Sequence, residues 1–108
     1  MPIEGVAFGS QVATATTGIF YIDALPMQGV LRHVSAGDLN SSVTIDYVIL
    51  EKDAQGRNPV LISNEDLLAN EAVGWNGELP FKGTWKIKVS YSNATIGDNL
   101  AATALIEV

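Results

Sequence analysis

Apolar and polar residues alternate with period two along most of this chain. Between Thr84 and Ser92, Trp85, Ile87, Val89 and Tyr91 fall on one side, and Lys86, Lys88, Ser90 and Ser92 on the other. Successive strand side chains point to opposite faces, so the segment predicts a half-buried strand. Leu100, Ala102, Ala104, Ile106 and Val108 repeat the pattern after Asn93–Asn99, a stretch rich in turn formers. Together they predict a closing antiparallel hairpin, 85–91 against 100–108. In the middle, Val43, Ile45, Tyr47 and Ile49 alternate with Thr44, Asp46, Val48 and Leu50. The first set reads as inward, and the apolar outer positions Val48 and Leu50 predict a strand end covered on both sides.

Further strands are expected at Gly29–Ser35, turned by Ala36-Gly37-Asp38, and at Val60–Ile62 after a polar turn at Asp53–Pro59. Gln11–Thr17 and Gly18–Asp23 predict one or two more. Ser63-Asn64-Glu65-Asp66 before Leu67-Leu68-Ala69 has the form of a capping box and predicts one short helical turn near 64–69. Seven or eight short strands at such spacing indicate an all-β domain. The expected fold is a two-sheet antiparallel β-sandwich, jelly-roll-like, forming a single domain over residues 1–108. Ile3, Val6 and Phe8 do not alternate regularly, and Glu4 is the only charge nearby. Residues 1–10 therefore read as an N-terminal arm outside the sheets. Each apolar residue it buries contributes roughly 1.5–3 kcal/mol, in pockets either on its own domain or, the favoured expectation, on a neighbouring subunit.

Composition narrows the function. The 108 residues include no cysteine, so disulfides, thiolate metal sites and cysteine nucleophiles are excluded. Twelve acids against six bases give a net charge of −6, the wrong sign for binding nucleic acid. Only 17% of residues are charged, and interface cores are likewise depleted in charge. The longest apolar runs, such as Tyr47–Leu50, are far short of the ~20 residues of a membrane helix. No charged segment followed by an apolar stretch opens the chain, so synthesis in a cytoplasm without a signal peptide is expected.

Catalytic signals are sparse. His33 is the one histidine, it falls within an expected strand, and no Gly-x-Ser-x-Gly elbow accompanies it. A histidine-rich metal site is impossible with one histidine, and no cofactor is implied. Asp53-Ala54-Gln55-Gly56-Arg57-Asn58 loosely resembles a calcium loop but lacks the closing Glu. Gly97-Asp98-Asn99 is a weaker candidate. Asn40-Ser41-Ser42 and Asn93-Ala94-Thr95 match the glycosylation pattern, which has no meaning without secretion. A close pair of carboxylates is invisible in sequence. With no nucleophile–base pair or phosphate loop, an enzyme is not expected.

Two groups suggest contacts. Trp75, between Gly74 and Asn76-Gly77, reads as a loop tryptophan. With Phe81 and Trp85 it could form a platform for glycan or protein, or it could plug one end of the sandwich. Lys82, Lys86 and Lys88 carry half the positive charge. They make either a docking stripe for an acidic neighbour or an edge strand guarded against aggregation.

Phe81-Lys82-Gly83-Thr84-Trp85-Lys86-Ile87-Lys88-Val89, Gly97-Asp98-Asn99-Leu100 and Ala104-Leu105-Ile106-Glu107-Val108 resemble the closing hairpin of jelly-roll sandwiches such as the proprotein-convertase P-domain. The Ser-Trp of that family is missing before the last strand. This resemblance implies sandwich topology and no active site. In composition the whole chain is similar to small head-decoration and accessory proteins of tailed-phage virions. That resemblance implies a structural protein of a multi-copy assembly, a homo-oligomer or capsid lattice, located in the virion. The alternative is a glycan-binding or host-recognition module. The partner-binding residues expected are Ile3, Val6, Phe8, Trp75, Lys82, Lys86 and Lys88.

Overall fold

The structure is a computed structural model that describes residues 4–22, 28–38, 40–52, 58–82 and 84–107, with side chains from Ala7 onward. The eight strands are β1 (Glu4–Val12), β2 (Gly18–Ile22), β3 (Gly29–Asp38), β4 (Val43–Glu51), β5 (Val60–Leu67), β6 (Ala72–Phe81), β7 (Lys86–Ser92) and β8 (Asn99–Glu107). They form two four-stranded sheets, ordered β1-β8-β3-β6 and β2-β7-β4-β5, and every pairing is antiparallel. Except for the β4–β5 hairpin, each connection carries the chain from one sheet to the other. Eight strands in that order make a jelly-roll β-sandwich. Among the described residues there is no helix.

The core is the predicted alternation made solid. Leu31, Val34 and Ala36 of β3 and Leu100, Ala102, Ala104 and Ile106 of β8 meet Phe20, Ile45, Val48, Leu50, Ile87, Val89 and Tyr91 of the opposite sheet, all buried. The small side chains of Ala102 and Ala104 suit the narrow space between layers.

Several local expectations are corrected. The 85–91 and 100–108 strands are not a hairpin: β7 pairs with β2 and β4, and β8 with β1 and β3. Two strands with inward apolar faces fit side by side in one sheet or face to face across a core, and alternation alone does not choose. The loop between them arches over the end of the sandwich. It is held there by Ala94 N donating to Thr16 O at 3.0 Å and Gly97 N to Ala13 O at 2.8 Å. Buried Ala94 closes that end.

In β4 the register shifts between Ile45 and Tyr47. The bulge reverses the phase, so Val48 and Leu50 are the buried residues while Tyr47 and Ile49 are half-exposed on the outer face. The capping-box segment is strand, not helix, with Ser63 opposite Tyr47 and Asp66 opposite Thr44. Thr44 Oγ1 donates to Asp66 Oδ1 at 2.7 Å, and Leu67 is buried opposite Val43. A strand at a sheet edge tolerates such a polar run, and Asn64, at φ 50°, takes up the irregularity. Capping chemistry does occur nearby: Leu68 N donates to Glu71 Oε1 at 2.6 Å in the β5–β6 turn.

β3 continues to Asp38, beyond the turn expected at 36–38, whereas β1 ends at Val12 and residues 13–17 form a bend. Residues from Glu4 onward are not a free arm. β1 pairs with β8 at nine consecutive positions, from Glu4 opposite Glu107 to Val12 opposite Asn99.

Candidate interaction surfaces

Each sheet presents one outer face. On the sheet β2-β7-β4-β5, ladder partners Tyr21, Lys88 and Ile49 lie side by side, as do Ile19, Ser90 and Tyr47. Alternation on β7 sends Lys86 and Lys88 to this face because Ile87 and Val89 fill the core. Lys86 Nζ stands 5.5 Å from the centre of the Tyr21 ring, and Lys88 Nζ 5.9 Å from that of Tyr47. At the adjoining end, Lys52 and Lys82 approach the Trp85 ring at 4.7 and 5.9 Å. Exposed cation–π contacts of this kind contribute about 0.5–1 kcal/mol each. The structure thus gathers Lys82, Lys86 and Lys88 with Lys52, each ammonium above an aromatic ring. β7 lies inside its sheet, so the lysines do not guard an edge.

Arg32 stands apart, at the register shift of β3 on the other sheet. Its Nε and a terminal nitrogen donate to the two carboxylate oxygens of Glu107, both at 3.1 Å, and it also contacts Glu78. These hydrogen bonds, Glu107 first and Glu78 second, raise the guanidinium pKa above its ordinary value.

The outer face of the sheet β1-β8-β3-β6 is different in kind. One row across it reads Ser10, Ala101, Gly37, Ala72, and the next reads Phe8, Thr103, Ser35, Gly74. Neither row holds a charge. Ser35 and Thr103 hydroxyls are hydrogen-bonded at 2.8 Å. A Cβ on Gly37 would come within 2.5 Å of the Glu71 carbonyl oxygen, so the β5–β6 turn folds tightly against the bare backbone there. The result is a shallow depression of about 170 Å³ with Gly37, Ala72, Ala101 and Thr103 in its lining. On the flanking strand β1, Phe8 stands 69% exposed and Val12 53%.

No protein-family profile and no curated protein sequence matches this chain. Among solved structures its fold is similar to the crystal structure of PirA, with 14% identity and a TM-score of 0.49. That alignment covers 99% of this chain and 93% of the other. A likeness so distant says nothing about what this chain does.

The other expected contact residues are dispersed. Ile3 lies outside the described residues, and Val6 is placed by its backbone, opposite Leu105. Phe8 is on the opposite side of the sandwich from the lysines and occupies no pocket of its own domain. Trp75 is not in a loop: it belongs to β6, opposite Val34, and packs half-buried against the core over Gly77. Phe81 is buried and Trp85 half-buried beside it, ring centres 6.2 Å apart. His33 Nδ1 is 2.8 Å from Asn76 Oδ1 on the outer face. The calcium-like segment 53–57 lies outside the described residues. The depression went unread because its small lining residues come from β3, β6, β8 and a turn. Its one legible trace was Ala101 and Thr103, outward and small between buried Leu100, Ala102 and Ala104.

Proposed function

We propose that the chain is a non-enzymatic structural subunit of a multi-copy assembly, in which copies meet through the outer face of β1-β8-β3-β6. The observation that carries this reading is the occurrence of a knob and a hole on that one face. Phe8 projects beside a depression of about 170 Å³, and a cavity of about 150 Å³ accommodates one benzene ring. A closed two-fold contact needs the same patch to be self-complementary, with the residue it offers fitting the site it presents. The uncharged rows around Phe8 lose little on desolvation. A virion, with this chain as a decoration or accessory protein, is the setting that the composition favours. The glycan-binding alternative loses the support of Trp75, which packs half-buried against the core.

Light scattering on the purified chain tests the reading. The wild type should have the mass of a dimer or larger species, and Phe8→Asp should have that of a monomer. Phe8→Asp should keep a cooperative melt, with its loss in Tm limited to the concentration-dependent part that association contributes. Ala101→Arg, which fills the depression instead, should have the same effect on mass. Lys86→Glu with Lys88→Glu, on the opposite face, should leave the mass unchanged. A monomeric wild type, or association lost only with the lysines, would reject this interface.

A further inference from the structure

At the end of the sandwich where β3 finishes and β8 begins, two carboxylate oxygens are buried without a hydrogen-bond partner, Asp38 Oδ2 and Asp98 Oδ2. Asp38 is 1% exposed. It continues the inward series Val34, Ala36, and its ladder partner is Leu100, also fully buried. Its other oxygen, Oδ1, accepts from the backbone N–H groups of Asn40 at 2.8 Å and Ser41 at 3.3 Å. That leaves Oδ2 turned into protein. Asp98 stands two residues before Leu100, and its carbonyl accepts from Ala13 N at 2.8 Å, carrying the β1–β8 ladder one step further. Asp98 thus lies two residues before the ladder partner of Asp38, at the same end of the sandwich.

A carboxylate oxygen removed from water is stabilised by a hydrogen-bond donor or a counter-charge, and Asp38 Oδ2 and Asp98 Oδ2 have no donor among the described residues. The described basic residues do not supply the counter-charge. Arg32 is engaged by Glu107 and Glu78 near the opposite strand ends, and Lys52, Lys82 and Lys86 flank Trp85 and Tyr21 at that same far end. Lys88 faces outward from the other sheet, beside Glu51. A cation from solution meets the need. Among the described residues no three His, Cys, Asp or Glu side chains converge, so the site does not suit zinc, which wants nitrogen and sulfur. Calcium suits it, since it accepts carboxylates together with backbone and amide carbonyl oxygens at about 2.3–2.6 Å. We propose that Asp38 and Asp98 are the anionic ligands of a calcium site that ties the β3–β4 turn to the β7–β8 arch.

This inference does not depend on the assembly reading, and a different measurement decides it. The full chain, stripped with EDTA, is melted in EDTA and in CaCl₂ at matched ionic strength, with MgCl₂ as a comparison. Calcium at a hundredfold excess over Kd should raise Tm by on the order of 10 °C, and magnesium by much less. Asp98→Asn and Asp38→Asn should each remove the calcium-dependent rise. Calorimetric titration of the wild type with CaCl₂ keeps the test open should a variant fail to fold, and one saturable site is expected. Equal Tm in EDTA and CaCl₂, or no binding heat, would overturn the proposal. So would a calcium response that survives in Asp98→Asn.

Discussion

A chain lacking residues 2–9 should lose its cooperative thermal transition, monitored by circular dichroism near 215 nm. The deletion removes six of the nine positions at which β1 pairs with β8, Glu4 to Gly9. It also removes buried Ala7 from the core and uncovers the flank of β8, whose Leu100, Ala102, Ala104 and Ile106 are all but inaccessible to water. Each lost ladder bond contributes about 0.5–1.5 kcal/mol net, and whole domains are stable by only about 5–15 kcal/mol. The summed loss is therefore comparable with the entire stability. An N-terminal arm seated on a neighbour, as the irregular spacing of Ile3, Val6 and Phe8 suggested, would instead leave the monomer's Tm unchanged on deletion. That outcome would remove β1 from the fold. Phe8→Asp provides the contrast, since it alters one exposed side chain and leaves the strand in place.

The fold class was legible because burial on one side of a strand forces period two into the sequence. β7, β8 and the first half of β4 show it plainly. What alternation does not carry is the partner of each face. The inward sides of β7 and β8 are equally apolar, and only the ladders formed in the fold, β7 with β2 and β4 and β8 with β1 and β3, place them in separate sheets. The bulge at Asp46 is likewise silent in sequence, because Tyr47 and Ile49 are as apolar as Val48 and Leu50. β6 was hidden for a different reason. Val73, Trp75, Gly77, Leu79 and Phe81 do alternate toward the core, but Gly74, Asn76 and Pro80 between them read as loop. An edge strand tolerates proline, whose missing N–H would otherwise leave a gap in the ladder. Of the candidate surfaces, the lysine cluster was visible as a sequence cluster. The depression beside Phe8 was not, since contributions from four places along the chain meet only after the sheet forms.

Gly9→Val should lower Tm by about 5–20 °C, the shift that corresponds to the ~1–3 kcal/mol of a forced overpacking. β1 and β2 are edge strands of opposite sheets, and they close one side of the sandwich by coming unusually near each other. Gly9, opposite Ala102, lies on the inward side of β1. A Cβ there would stand 2.4 Å from the Tyr21 carbonyl oxygen and 3.0 Å from the Ile22 Cα. Both obstacles are backbone, so no side chain can rotate away, and β1 itself would have to move. Moving outward, it parts from β2 and opens the core beside Phe20 and Ile22. Moving along the sheet, it breaks pairing with β8. Ser63→Val is the matched control, because Ser63 is exposed on the outer face of the other sheet and valine suits a strand. Thermal melts of the two variants beside wild type separate the effect of added bulk from that of its position. If Gly9→Val melted with Ser63→Val and the wild type, β1 would not be seated against β2 as described.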